Sequence, residues 1–305
     1  MQTVSDCIER LNPPRIRHAA RSAFIHLKRA WRLHPIDSEM AMFRTITSEE
    51  EAASALILAL HQQKYPNSRH LNPRRHDHKA AIWPFLQAII HGFHEKGVPA
   101  PRLSIATEGT PRLELSIDIA AIAGLGQPLW MSPDHPFNFV MRSDEKGPFE
   151  VHRWERELFA IAVKNGSSQI HAHINKESNL RNRIIYSSNE GVPAIRFSDS
   201  IIISRLKRVT VLLIITIEIL QTRYHQLFVI QAIEALLHAM KSFKGAGYDF
   251  PANRPPSDRT YIRITEHLND IMKIEIIRPI HDILTSIQSL KPYRALNTKY
   301  SINNR

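Results

Sequence analysis

From Ser198 to Phe243 the chain runs without a proline or a glycine and is rich in isoleucine, leucine and valine. So much apolar area has to be buried, at roughly 25 cal/mol for each Å² taken from water. The length of the segment and its lack of breakers read as one long buried helix or two abutting ones. A β-branched run inside it also admits a strand. Its greasiest part, Val209 to Leu220, is interrupted by Thr210, Thr216 and Glu218 and is shorter than the roughly 20 apolar residues a spanning helix needs. It reads as protein core, and no membrane association is expected.

The first third of the chain also reads as helical. After Pro13-Pro14, the residues Ile16, Ala20, Phe24, Leu27 and Trp31 recur every three or four positions, which lays one apolar stripe along a helix ending near His34-Pro35. Asp37 is placed as an N-cap for a second helical region, Ser38 to Lys64, either continuous or restarted at Thr47. In the restarted case Thr47-Ser48-Glu49-Glu50 forms a capping box, with Glu50 reaching back to the Thr47 amide. Tyr65-Pro66-Asn67-Ser68 stops that helix and Asn72-Pro73 keeps the loop extended. A third helix is expected from about Arg74, kinked or restarted at Pro84 and capped at Gly97.

Beyond Val98 the pattern changes. Leu103 and Ile105, then Leu113, Leu115 and Ile117, alternate with polar residues around Glu108-Gly109-Thr110-Pro111, the signature of a β-hairpin. Further strands are expected at Phe137 to Met141, Ile170 to Asn175, Arg183 to Ser187 and Ala194 to Phe197, with a short helix from Trp154 to Val163. After a Gly/Pro linker, a last helix or two is expected between Tyr261 and Leu290. The expected fold class is therefore α+β, with a helical domain over 1–97 and a β-rich domain or insertion over 98–200. A helical region over 201–290 packs on the core, and 291–305 is a basic tail.

Composition limits the function classes. The chain has 305 residues, 43% of them hydrophobic and 23% charged, as in a folded protein. Its single cysteine, Cys7, excludes a disulfide framework and a cysteine zinc site, which suits a reducing cytosol. The first residues lack the unbroken apolar core of a signal peptide, so a cytoplasmic location is expected. With 40 Lys plus Arg against 29 Asp plus Glu, the formal charge is +11 and the pI about 9.9, which points to a polyanionic partner. No Gly-x-Ser-x-Gly elbow and no Gly-rich phosphate loop occurs among only 10 glycines, which disfavours a serine hydrolase or a nucleotide hydrolase.

The candidate chemistry lies in the loop Arg69-His70-Leu71-Asn72-Pro73-Arg74-Arg75-His76-Asp77-His78-Lys79. An arginine and a histidine can cleave RNA without metal or cofactor: His76 exchanges the 2′-hydroxyl or leaving-group proton near neutral pH, and Arg69 neutralises charge developing on the phosphate. Other Arg/His pairs of similar spacing, Arg21/His26 and Arg29/His34, lie inside the first helix, whereas Arg69/His76 lies between two helices.

The Glu-rich stretch Ser48-Glu49-Glu50-Glu51-Ala52-Ala53, followed by an Arg/His loop running into His76-Asp77-His78-Lys79, resembles the HEPN superfamily over residues 15–97, and most of all its abortive-infection (AbiV-like) branch. The resemblance implies a homodimeric helical bundle whose cleft binds RNA in antiviral defence. It implies Arg69 and His76 as catalytic residues, Arg74, Arg75 and Lys79 as phosphate contacts, and Glu50 and His78 in support. Pro73 departs from the usual helical run-in.

Two other classes are carried beside it. If Ile170 to Asn175 is a strand, His171 and His173 share one face and could ligate a metal with Glu177 as third ligand. Alternatively the chain is a non-enzymatic sensor that recognises a protein partner through the β-rich region, with Trp130, Phe137, Phe139 and Trp154 supplying the surface.

Overall fold

The computed structural model describes residues 2–95, 102–106, 112–118, 130–131, 136–143, 150–185, 198–222, 224–242, 247–250, 261–262, 272–276 and 278–279. Eight α-helices dominate the described residues: α1 Gln2–Glu9, α2 Pro14–Leu33, α3 Ser38–Gln62, α4 His76–Glu95, α5 Glu155–Lys164, α6 Ile170–Ile185, α7 Asp199–Gln221 and α8 Leu227–Ala239. Seven short strands accompany them: β1 Arg102–Ala106, β2 Arg112–Asp118, β3 Trp130–Met131, β4 Phe139–Ser143, β5 Tyr261–Ile262, β6 Met272–Ile276 and β7 Arg278–Pro279. They pair antiparallel in the order β1-β2-β3, β4 with β6, and β5 with β7.

The expectation of an α+β chain with a β-rich middle is overturned, because the described structure is mainly helical. The decisive segment is Ile170 to Ile185, where two strands were expected and one helix, α6, is found. A five-residue alternation cannot separate the two periods: Ile170 and Ile174 stand two apart twice on a strand and one turn apart on a helix. The polar run after Ile174 holds no proline or glycine to break a helix, so the helical period continues. Ala194 to Phe197, Gly97 and residues 291–305 lie outside the described residues. Within the segment expected to end in helices, the described residues are strands instead.

Helix α3 is the axis of the assembly, contacting α2, α4, α6 and α7. It is continuous from an N-cap at Asp37, whose Oδ1 accepts the Met40 amide at 2.8 Å. The restart at Thr47 is absent, since that hydroxyl donates to the Phe43 carbonyl one turn back. Alanines let neighbours approach from several sides: Ala41, Ala52, Ala53, Ala55 and Ala59 are all buried. Toward α3, α2 buries Ile16, Ala20, Ala23, Leu27 and Ala30. Trp31, expected in that stripe, is 55% exposed because Ala23 and Ala30 make the close contact instead. The approach is tight enough for Ser48 Oγ on α3 to donate to the Ala23 carbonyl at 2.7 Å.

The apolar segment after Ser198 is two helices, α7 and α8, separated by Thr222 to Gln226. The loop after α3 is tied to that break: the Gln226 amide donates to Tyr65 Oη at 3.2 Å and Gln63 Nε2 donates to the Leu220 carbonyl at 3.2 Å. Pro84 sits within α4 without ending it.

A second packing centre joins α4, α5, α8 and β4. Trp154 is fully buried, with Phe85, His152 and Phe228 edge-on around it, and Phe139 stacks on Phe228 at 4.5 Å between centroids. Buried Gln231 of α8 accepts the Met141 amide and donates to the carbonyls of Met141 and His152, which pins β4. Trp154, Phe137 and Phe139 therefore serve the interior and not a recognition surface, whereas the side chain of Trp130 lies outside the described residues.

Ala23→Leu tests the α2–α3 seam. The substitution is expected to destabilise the protein by about 1–3 kcal/mol through overpacking, read as a lower urea midpoint at unchanged slope. A loss below about 0.5 kcal/mol, the range of ordinary surface changes, would show that the seam has room for a larger side chain.

Candidate functional site

Three consecutive glutamates stand midway along α3, and a helix turns successive side chains by about 100°. They therefore meet different neighbours. Glu49 faces α7, where Arg205 binds its carboxylate and Arg208 Nη1 lies 3.5 Å away. Glu50 faces α4 and α6. Glu51 is half-buried and accepts from Ser22 of α2; burial pushes its carboxyl above the ordinary range, with Lys79 opposing that shift and Glu50 adding to it.

Glu50 is the centre of the cluster. Its side chain is only 6% exposed, and an imidazole and two cations converge on it. His76 Nδ1 lies 3.0 Å from both carboxylate oxygens, Lys79 Nζ donates to Oε2 at 3.3 Å, and Arg181 Nη1 donates to Oε2 at 3.2 Å. A carboxylate this buried is tolerated only with such compensation. Lys79 is 8% exposed and belongs to the interior, whereas His76 is 43% exposed. With Nδ1 turned to Glu50, His76 Nε2 has no hydrogen-bond partner among the described residues, so an oriented imidazole presents one nitrogen to solvent. The Arg181 guanidinium also lies over the Phe43 ring at 5.5 Å, and that of Arg208 over Trp83 at 5.2 Å.

Local hydrogen bonds fix where α4 begins. Asn72 Oδ1 accepts the Arg74 amide at 2.9 Å, and the Asn72 amide donates to His78 Nδ1 at 3.0 Å. Ser54 Oγ lies 2.9 Å from the Glu50 carbonyl and 3.3 Å from the Pro73 carbonyl, joining the loop to α3 beside Glu50. Pro73, a departure from the expected helical run-in, is thus part of the turn that delivers His76 to the carboxylate.

The candidate residues separate into two groups. Glu50, His76 and Lys79 come together. Arg69 does not join them: it lies exposed on the 3₁₀ turn Ser68–His70, and its guanidinium makes no hydrogen bond or ion pair among the described residues. Arg74 is likewise exposed, and Arg75 is paired with Asp77. His78 is buried against the loop; burial pushes its pKa down, Asp77 opposing. The capping-box role for Glu50 is replaced by the buried ion cluster. Arg181, Arg205, Arg208 and Glu49 were not foreseen. The signal available for two of them was Arg205 and Arg208 about one turn apart between Ile201-Ile202-Ile203 and the apolar run from Val209, a placement that calls for an acidic partner.

The histidine metal site fails on geometry. On helix α6, His171 and His173 are two residues apart and so about 200° apart around the axis: His171 is exposed beside Asn175, while His173 is buried. Among the described residues no group of three or more His, Cys, Asp or Glu side chains is placed to hold a metal ion. None of the described helices is long and apolar enough to cross a membrane.

Two outcomes follow for stability. Glu50→Gln leaves the buried Lys79 ammonium without its counter-charge and is expected to cost about 3 kcal/mol in chemical denaturation. The Glu50→Gln/Lys79→Met double variant should recover part of that loss, and strict additivity would show that the two groups are not coupled. For pH, burial lowers the pKa of His26, His78, His173 and His238 below the ordinary 6.5. Below that value the unfolded chain takes up more protons than the folded one. Stability is therefore full above about pH 7 and falls toward about pH 5; raised Glu51 acts in the opposite sense. Melting temperature against pH should show this decline, with a shallower slope for His173→Leu; equal slopes would remove His173 from the account.

No protein-family model, no curated protein and no solved structure matches this chain.

Proposed function

We propose that the chain is a metal-independent endoribonuclease whose centre is the Glu50–His76 pair. The observation that carries the reading is a buried carboxylate that orients a half-exposed imidazole beside two cations, Lys79 and Arg181. A carboxylate on one ring nitrogen fixes the orientation of the ring and leaves the other nitrogen to handle a proton. The surrounding cations suit a substrate that gains negative charge at the transition state.

In this reading His76 Nε2 takes the 2′-hydroxyl proton as that oxygen attacks the adjacent phosphorus. The bond from phosphorus to the 5′ oxygen breaks, solvent protonates the leaving oxygen, and the products are a 2′,3′-cyclic phosphate and a 5′-hydroxyl. His76 is the catalytic residue and Glu50 the positioning one. Arg181, 3.2 Å from the Glu50 carboxylate, takes over the charge-neutralising role expected of Arg69. Arg69 and Arg74, exposed on the loop leading into α4, contact flanking phosphates. The resemblance to the HEPN superfamily adds the setting: an RNA-cutting homodimer in cytoplasmic abortive-infection defence.

The test is incubation of purified protein with labelled RNA in EDTA. The wild type should generate 2′,3′-cyclic phosphate ends. His76→Ala should lose at least about 100-fold in rate, the scale of one general acid–base group, and Arg181→Ala a comparable factor through lost charge stabilisation. In His76→Ala the Glu50 carboxylate keeps Lys79 and Arg181, so the variant should stay folded, and its melting curve taken beside the rate separates lost chemistry from lost folding. Wild-type rates in His76→Ala, or no cleavage by the wild type, would overturn the reading.

A further inference from the structure

The solvent side of α2 is cationic along most of its length. The helix contains Arg15, Arg17, Arg21, Lys28, Arg29 and Arg32 and no aspartate or glutamate. Its buried stripe fixes the opposite arc by helical geometry. That arc centres on Ile25, with Arg21, Lys28, Arg29 and Arg32 around it, all exposed. Arg21 is paired with Glu9, whereas Lys28, Arg29 and Arg32 have no carboxylate partner among the described residues. Lys28 and Arg32 stand four apart and Arg29 and Arg32 three apart, spacings at which like charges destabilise a helix. A bound polyanion would turn that repulsion into attraction.

We propose that this face of α2 binds the phosphate backbone of single-stranded RNA. Arg21 to Arg32 spans about 16 Å along the axis, enough for several successive phosphates of one strand. Trp31, 55% exposed at the border of the arc, supplies a ring on which a base stacks. An anionic membrane is disfavoured because a helix lying in a lipid interface buries a broad apolar face, and here Ile25 is alone among cations. RNA as the polyanion rests on the proposed function; the position of the strand rests on α2 itself.

The experiment measures fluorescence anisotropy of a labelled, unstructured oligoribonucleotide with full-length His76→Ala protein, so that the strand is not cut, over a series of KCl concentrations. Lys28→Gln/Arg29→Gln/Arg32→Gln is then added in the same background; glutamine keeps a good helix propensity. Binding should weaken at least about tenfold, and the slope of log affinity against log salt should fall by about 2, from roughly 0.7 for each of three lost phosphate contacts. Lys164→Gln/Arg183→Gln, exposed positions on α5 and α6, should change neither quantity. Equal affinity and slope in the triple variant would overturn the proposal. So would loss, in the triple variant, of binding to phosphatidylserine vesicles by a protein that binds no RNA. Wild-type protein that cuts nothing yet binds RNA through α2 would sink the nuclease reading and leave this one standing; cleavage with α2-independent binding would do the reverse.

Discussion

The buried carboxylate of Glu50 is the constraint around which the site is arranged. A charge taken out of water is tolerated only if partners replace the lost hydration, and here they arrive from two helices: His76 and Lys79 from α4, Arg181 from α6. Docking of those helices on α3 and compensation of the charge are thus one event. Glu49 imposes the same requirement on α7 through Arg205 and Arg208. Consecutive acids on a central helix recruit different neighbours because they point in different directions.

The small-residue packing of α3 is what makes this arrangement accessible. Alanines on several sides bring backbones close, and Ser48 reaches the Ala23 carbonyl directly. Larger side chains would hold α2 further off and widen the space around Glu51 and Ser22. The loop after α3 is held with equal care, by Ser54 beside Glu50 and by Asn72 between Arg74 and His78. Its strained-looking composition, with Pro66, Asn67 and Pro73, is the turn that places His76.

Such a site combines rigidity with exposure. The carboxylate and Lys79 are interior groups, while the imidazole and, to a lesser extent, Arg181 reach solvent. A group that must meet a substrate in one orientation is well served by a partner that cannot move. The cationic face of α2 adds an electrostatic guide of a different kind, built from exposed charges that hold no fixed geometry and act over a longer range.

Long, strongly patterned helices were legible in the sequence: α2, α3 and the paired α7 and α8 follow from period and breakers. So was the neighbourhood of the site, since Glu50, His76 and Lys79 were singled out from the Glu-rich stretch and the loop after it. What failed were the short patterns. Ile170 to Asn175 fits a strand and a helix equally, and only the packing of α6 against α3 and α4 decides between them. Trp31 and Ala30 both lie near the α2 stripe, and the closeness of α3 selects the smaller one. Arg181 lies more than a hundred residues from Glu50 in the chain, so no local spacing connects them. Local periodicity determines which segments can be helices because it depends on neighbours a few residues apart. Only tertiary structure decides which cation meets a buried acid, because that pairing is set by desolvation in the assembled core.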